Sequence, residues 1–110
     1  MSWQILDKST QLQEILIASE QQPQLLFKHS TRCSISSMVL NRFEASELFT
    51  QNKISCWFLD LISFRDISNL IASETKVGHE SPQCIVLDRG QVIYAESHGA
   101  IDAKTILSLI

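Results

Sequence analysis

Four apolar segments, connected in two different ways, constrain the fold of this chain more than any other feature of its sequence. The first two, QLLFKH (24–29) and ISCWFLDL (54–61), are rich in strand-forming residues and are separated by a segment long enough for a helix. A strand–helix–strand unit requires a parallel pair of strands with a right-handed crossover. The last two segments flank the turn signal DRGQ (88–91), which requires an antiparallel pair. The sequence therefore predicts a mixed sheet of four strands.

Apolar residues at helical spacing predict helices around these strands. The spacing indicates one helix that ends before Pro23, a crossover helix running from Ser34 to Leu48, one capped by Ser63, and a last one capped by Asp102. A mixed four-stranded sheet flanked by helices on both faces is the arrangement of the thioredoxin fold. We therefore predict an α/β protein in which residues 1–110 form a single thioredoxin-like domain.

Composition and charge argue against several classes of function. The chain of 110 residues has a net charge of −3 and no block of basic residues, which argues against nucleic-acid binding. Its start, MSWQILDKST, lacks the features of a signal peptide, and its longest apolar run is interrupted by Asp60 and too short to span a bilayer. Three cysteines without metal-type spacing indicate a reducing compartment. We expect a cytoplasmic protein with no metal site.

The stretch FKHSTRCSIS (27–36) places a cysteine where the first central strand passes into the crossover helix. In the predicted fold, Cys33 lies at the carboxyl edge of the sheet and at the helix N-terminus. Unpaired backbone N–H groups and the positive end of the helix dipole stabilise a thiolate there. Ser36, one helical turn further on, is placed to donate a hydrogen bond, and Arg32 adds positive potential. We therefore predict Cys33 as a nucleophile supported by Ser36.

Two further segments are expected at the same edge of the sheet. Pro82, in HESPQ, immediately precedes an apolar strand and would face the helix terminus that carries Cys33. A cis Ser81–Pro82 bond would expose the backbone of Ser81 to an extended partner. Gly99, in SHGAI, follows the last strand and leaves room for the backbone or thiol of a ligand.

The remaining cysteines and charged residues have simpler interpretations. Cys56 lies within a continuous apolar strand and is expected to pack as a small hydrophobic residue. Cys84 is expected to fill the core too, with a role as resolving thiol as the alternative. Lys28 either meets the carboxylate of a thiol cofactor or lies on the surface, and the sequence favours neither. Arg65 and Asp66 are expected to form an ion pair at a helix start.

Four segments, FKHSTRCSIS, FLDLISFRDISN, HESPQ and SHGAI, occur in an order that resembles the monothiol bacilliredoxin (YtxJ-like) family of bacterial thioredoxin-fold proteins. The resemblance covers nearly the whole chain from Leu25 to Ile101. The active-site motif of that family is usually Thr-Cys-Pro-Ile-Ser, and here it reads Arg-Cys-Ser-Ile-Ser (32–36). The nucleophile and the following Ile-Ser match the family motif, whereas Arg32 and Ser34 depart from it.

The resemblance implies that Cys33 attacks a protein–bacillithiol mixed disulfide, takes the thiol and is then regenerated. The implied co-substrate is a low-molecular-weight thiol such as bacillithiol, with no tightly bound cofactor. The implied partners are S-thiolated proteins and a small thiol or reductase, with no nucleic acid and no membrane. We expect the substrate to contact Arg32, Ser34, Ser81, Pro82 and Gly99.

The residues themselves leave two other functions open. Ser36 stands where a C-x-x-C motif has its second cysteine, so a mixed disulfide on Cys33 needs a thiol from elsewhere to open it. The same Cys-x-x-Ser spacing occurs in the Cys-Gly-Phe-Ser motif of monothiol glutaredoxins, which carry iron–sulfur clusters. A non-catalytic adaptor that binds extended peptides beside Pro82 is the other alternative.

Overall fold

The computed structural model describes residues 3–110, so Met1 and Ser2, which begin the segment weighed above as a leader, lie outside the described part of the chain. Its strands are β1 (Gln4–Ile5), β2 (Gln24–His29), β3 (Ser55–Asp60), β4 (Gln83–Asp88) and β5 (Gln91–Ser97). Its helices are α1 (Gln11–Ala18), α2 (Ser34–Glu44), α3 (Glu47–Thr50), α4 (Arg65–Thr75) and α5 (Ala103–Leu109), and a 3₁₀ turn spans His98–Ala100.

The strands form one mixed sheet in the order β1-β3-β2-β4-β5. As predicted, β2 and β3 are parallel and β4 and β5 form an antiparallel hairpin. Strand β4 is also antiparallel to β2. The predicted number of four strands is wrong, because β1 adds a fifth strand parallel to β3 through the pairs Gln4↔Trp57 and Ile5↔Phe58. Because β1 has only two residues, both exposed, it shows no alternation of apolar and polar side chains, and the sequence pattern could not predict it.

Helices cover both faces of the sheet, and each face has its own apolar cluster. Every residue of β2 is buried, as expected for a strand covered on both sides. Leu25 and Phe27 point to the face that α2, α3 and α5 cover. Leu26 points to the opposite face, which α1 and α4 cover. The fold is therefore the predicted thioredoxin arrangement of a mixed sheet between helical layers.

The predicted crossover helix is interrupted. It ends at Glu44, and a separate short helix begins after Ser46, whose hydroxyl accepts a hydrogen bond from the Phe49 N–H (3.4 Å). Of the apolar residues at helical spacing, Ile35 and Met38 are exposed by 49% and 66%. Two apolar side chains therefore remain at the surface near the start of α2.

Local signals at the other helix and strand ends had mixed outcomes. Asp102 caps α5 as predicted and accepts a hydrogen bond from the Lys104 N–H (3.2 Å). The predicted cap Ser63 is wrong, because Phe64 is the N-cap of α4 and the Ser63 hydroxyl donates to Asp60 (3.0 Å). The predicted hairpin is present. Its two central residues, Arg89 and Gly90, have positive φ angles of 53° and 75°, as a tight two-residue turn requires.

Candidate active site

Cys33 is the N-cap residue of α2, and it follows the carboxyl end of β2 after a three-residue connection. Its backbone N–H donates to the Ser30 carbonyl (3.2 Å), and its own carbonyl accepts from the Ser37 N–H (3.2 Å). The side chain is half-buried. Because α2 has eleven residues, its free N–H groups and its dipole place positive potential beside the Cys33 sulfur.

Ser36 lies one turn into α2 and is completely buried. Its hydroxyl oxygen accepts a hydrogen bond from the Ser30 N–H (3.2 Å). In residues 3–110, no hydrogen bond links the Ser36 hydroxyl to the Cys33 sulfur, so the contact that the sequence suggested is replaced by one to the backbone. Ser36 therefore fastens the turn that carries Cys33 to the end of β2.

The Ser81–Pro82 segment reaches the same edge of the sheet. The β2–β4 ladder ends with the pair Lys28↔Gln83. Ser81 and Pro82, which come just before β4, therefore lie at the edge of the sheet where β2 leads to Cys33. The Ser81–Pro82 peptide bond is cis. Pro82 is buried, whereas Ser81 is half-buried with a hydroxyl that has no partner within residues 3–110.

The end of β5 is bound to this segment. The His98 N–H donates to the Pro82 carbonyl (3.0 Å), and His98 holds a positive φ of 55°, which is uncommon for a residue other than glycine. Sequence reasoning missed this contact, because a histidine before a glycine has no distinctive pattern. The His98 imidazole lies 4.0 Å from the carboxylate of Glu80. The contacts of His98 thus join the β5 end to the loop before β4.

Gly99 is exposed and has the open space that the sequence suggested, since a Cβ built on it would meet no atom within 4 Å. Its carbonyl accepts a hydrogen bond from Arg42 (3.2 Å). Gly99 lines a groove of about 560 Å³ between the side of α2, including Val39 and Phe43, and residues 99–104. Cys33 does not line this groove, so Gly99 belongs to a neighbouring concavity as well as to the edge of the sheet.

The three cysteines are free thiols in different surroundings. Burial raises the pKa of Cys56 to about 12. Cys84 has no exposed surface, and burial together with the nearby Cys56 raises its pKa well above that of a free thiol. Both side chains belong to the apolar cluster beneath α2, as their core interpretation predicts. Only Cys33 has a thiol that is open to a substrate.

Lys28 is placed as neither of the two alternatives expected. Its side chain is fully buried, and its Nζ donates to the Ser68 carbonyl (3.1 Å) and lies 3.4 Å from His79 Nδ1. Burial lowers the Lys28 pKa to about 8. Both the surface position and the cofactor contact are therefore wrong for this residue.

His29, the last residue of β2, was also not resolved by sequence reasoning. It is buried, and its ring centroid lies 5.3 Å from that of Phe58. Burial lowers the His29 pKa, and the carboxylates of Asp60 and Glu44 oppose that effect. His29 Nδ1 has no hydrogen-bond partner within residues 3–110. The histidine is therefore neutral over most of the physiological range.

Two expectations concern charged groups and metals. Arg65 begins α4 as predicted, but the ion pair expected between Arg65 and Asp66 is absent from the described part of the chain. In residues 3–110, no three His, Cys, Asp or Glu side chains lie close enough together to hold a metal ion. None of the helices in that range is both long and apolar enough to cross a membrane.

A sheet of this topology, with one open cysteine at the start of the helix after β2, defines a thioredoxin-fold protein of the one-cysteine type. Solved structures agree with this fold. One of them, described only provisionally as an oxidoreductase with a thioredoxin fold, has a TM-score of 0.80 and 26% identity and matches 94% of this chain and 89% of its own.

Two thioredoxins share the fold at lower identity. Thioredoxin (Mala s 13) of Malassezia sympodialis has a TM-score of 0.70 and 17% identity, with 98% of this chain and 87% of that chain covered. Thioredoxin O2 of Arabidopsis thaliana in the oxidized state has a TM-score of 0.70 and 13% identity, with 98% and 90% covered. The chain itself belongs to the family described as monothiol bacilliredoxin BrxC, which it matches over residues 4–106. The predicted family is thereby confirmed, and the chain has a role in thiol redox chemistry.

Proposed function

We propose that this protein is a monothiol oxidoreductase that removes bacillithiol from protein mixed disulfides through Cys33. The observation that carries the proposal is the contrast among its thiols. In a chain of the bacilliredoxin family, Cys33 is half-exposed at the N-terminus of an eleven-residue helix, while the other two cysteines are sealed in the core.

The reaction is a pair of thiol–disulfide exchanges. The Cys33 thiolate attacks the bacillithiol sulfur of the mixed disulfide, a bond forms between these two sulfurs, and the protein thiolate leaves. A second thiolate then attacks the bacillithiol sulfur of the disulfide on Cys33, so bacillithiol leaves joined to that second thiol and the Cys33 thiolate is released. The backbone N–H groups at the start of α2 stabilise the Cys33 thiolate before the first step and again as the leaving group of the second.

The second thiol comes from outside the chain in this proposal. Cys56 and Cys84 are buried with raised pKa values, so neither supplies a thiolate with access to a disulfide at the surface. Attack by a low-molecular-weight thiol or a partner reductase completes the cycle instead. The role of Cys84 as a resolving thiol is the less favoured route.

We assign substrate contact to Arg32, Ser34, Ser81, Pro82 and Gly99. Arg32 and Ser34, the neighbours of Cys33 in sequence, are both exposed. Arg32 offers a cationic side chain to a carboxylate of the small thiol, and Ser34 offers a hydroxyl. Ser81 supplies backbone groups for an extended segment of the protein substrate, next to Pro82. Gly99 leaves space at the end of β5.

The test is to mix the reduced protein with an S-bacillithiolated protein and to follow both masses by mass spectrometry. We expect the substrate to lose bacillithiol and Cys33 to gain it, with the mixed disulfide stable until a thiol is added. Cys33→Ser should abolish the transfer, and Cys84→Ser should behave like the wild type. No mass gain on Cys33 would disprove the proposed function. Spontaneous release that Cys84→Ser abolishes would instead show that Cys84 is the resolving thiol.

A further inference from the structure

A polar cluster lies beneath the candidate active site, on the sheet face that α1 and α4 cover. Lys28, in β2, has no exposed surface, and its Nζ contacts the Ser68 carbonyl at 3.1 Å and His79 Nδ1 at 3.4 Å. The Ser68 hydroxyl is also within 3.0 Å of His79 Nδ1. In residues 3–110, no carboxylate pairs with the Lys28 ammonium. The cation is therefore balanced only by a carbonyl dipole and a neutral imidazole.

The loop that contains His79 is held by a second contact, one residue before His79. Gln83, in β4, lies directly opposite Lys28 in the ladder and is also buried. Its Nε2 donates to the Gly78 carbonyl (2.8 Å). Two adjacent side chains of the sheet thus hold two consecutive residues of the loop, Gly78 and His79, which are themselves exposed.

This loop leads directly to Ser81 and Pro82, at the edge of the sheet where β2 leads to Cys33. Ser81 and Pro82 follow His79 by two and three residues, and the Pro82 carbonyl is already fixed from the other side by the His98 N–H (3.0 Å). Between α4 and β4 the loop contains no helix or strand of its own. Its position over the edge of the sheet is therefore set by individual contacts, among them those of the two side chains that hold it from beneath.

Stability does not explain the charge of Lys28. Burying an ammonium group without a carboxylate partner is unfavourable, and an apolar side chain of similar length would pack against Leu26 and Ile85 on the same face without that penalty. Removing the ammonium would also leave no buried group without a partner. The Ser68 carbonyl lies inside α4, and His79 is exposed, so its ring can turn to water once the ammonium is gone.

We propose that Lys28 is a positioning residue for thiol exchange, whose buried ammonium holds His79 and thereby fixes Ser81 and Pro82 at the edge of the sheet where β2 leads to Cys33. The proposal rests on the proposed function for the reaction whose rate it affects. It concerns the loop rather than the nucleophile, because Lys28 lies on the sheet face opposite to α2.

The contact requires an unprotonated Nδ1 on His79 as acceptor. The groups that act on the His79 pKa are Lys28 in β2, Arg65 in α4 and Glu80 in the loop itself. Burial, Lys28 and Arg65 lower that pKa below its usual 6.5, and Glu80 opposes them. His79 is consequently neutral near pH 7, and the contact is lost as the pH falls through the lowered pKa. Because alkylation of Cys33 follows the thiolate alone, turnover should fall more steeply at acid pH than Cys33 labelling does.

The experiment measures kcat/KM for release of bacillithiol from an S-bacillithiolated protein between about pH 5 and about pH 8, together with iodoacetamide labelling of Cys33. Lys28→Met should lower kcat/KM by about tenfold or more while Cys33 labelling changes less than about twofold. Lys53→Met removes an exposed lysine and serves as the control. His79→Asn keeps an acceptor that does not titrate, so it should retain most of the rate near pH 7, and its turnover should fall at acid pH only as steeply as its Cys33 labelling does.

A second readout is independent of activity. Amide hydrogen exchange at residues 78–81 should be faster in Lys28→Met than in Lys53→Met, with exchange in α5 unchanged. If the wild type releases no bacillithiol, the proposed function fails and hydrogen exchange alone decides the role of Lys28. The positioning role would be overturned if Lys28→Met had the same hydrogen exchange at residues 78–81, or the same kcat/KM, as Lys53→Met. It would also be overturned if Lys28→Met lowered the rate of Cys33 labelling by the same factor as kcat/KM.

Discussion

Cys33, Cys56 and Cys84 carry the same thiol, and their surroundings separate their chemistry. Cys56 and Cys84 lie in central strands among apolar side chains, where burial opposes ionisation and blocks access. Cys33 lies half-exposed at a helix start, beside free backbone N–H groups and the positive end of the helix dipole. A thiol reagent therefore meets one reactive group in the folded protein.

We expect iodoacetamide at neutral pH to label Cys33 and to leave Cys56 and Cys84 unmodified in the native protein. Only the thiolate reacts, and the raised pKa values of the two buried thiols leave almost none of it there. Peptide mass spectrometry measures labelling at each position, and the protein unfolded in urea is the control in which all three react. Equal labelling of the three cysteines in the native protein would contradict this assignment.

Ser36 should matter for stability through the bond it accepts. Ser36→Ala removes the acceptor of the Ser30 N–H and leaves that donor buried without its partner, which costs about 1–3 kcal/mol. Ser37→Ala, at the exposed neighbouring position, is the matched control. The measurement is the free energy of unfolding in urea. A loss no larger than that of the control would show that the bond contributes little.

At the scale of helices and strands, the sequence predicted what depends on pattern and turn length. The parallel β2–β3 pair and the hairpin followed from connection lengths, and they bring Cys33, Pro82 and Gly99 toward one edge. The break between α2 and α3 was missed because Leu48 continues the helical spacing beyond it. Periodicity reports which face is apolar, and it does not show where the backbone leaves the helix.

The sequence could not predict the surroundings of Lys28. The groups that cover it, Ser68 and His79, are 40 and 51 residues away along the chain, and His79 lies in a loop without periodicity. A lysine next to a histidine at a strand end is compatible with exposure, so only the tertiary structure reveals its burial. Contacts between an irregular loop and a strand leave no repeating signal for sequence reasoning to find.

The N-cap of α5 gives a test with an internal comparison. Asp102 accepts hydrogen bonds from the Lys104 N–H (3.2 Å) and the Thr105 hydroxyl (2.8 Å), so Asp102→Ala should lower the free energy of unfolding by about 0.5–2 kcal/mol. Thr10 is the N-cap of α1 and makes no side-chain capping bond, so Thr10→Ala should change the free energy of unfolding little. Urea unfolding of both variants measures the difference. Equal losses would argue against a capping role for Asp102.

For the whole molecule, the buried Lys28 should shape how stability varies with pH. Its pKa is about 8 in the folded protein and 10.5 in the unfolded chain, so between these values the unfolded state binds the extra proton. The free energy of unfolding should therefore rise with pH over this window. At 1.36 kcal/mol per pKa unit, Lys28 accounts for a rise of about 3 kcal/mol in the free energy of unfolding over this window. Below about pH 8, the destabilising effect of the buried Lys28 ammonium is fully present.

Lys28→Met should remove that rise and increase the stability near neutral pH. Urea unfolding at several pH values between about 7 and about 10 measures it, with Lys53→Met as the exposed control. Higher stability with slower turnover in the same variant would mark Lys28 as a residue kept for function. An unchanged pH dependence in Lys28→Met would show that another group causes the rise.

The two core thiols also divide the sheet into parts that can be observed separately. Cys56 lies in β3, in the parallel half of the sheet, and Cys84 lies in β4, which pairs with β5 in the antiparallel hairpin. A sealed thiol becomes reactive only when its own strand leaves the core, so its rate of modification reports the free energy of that local opening. Fraying of the hairpin would expose Cys84 first, while separation of β3 from β2 would expose Cys56. The order in which the native protein comes apart can therefore be read from these two natural cysteines without any added label.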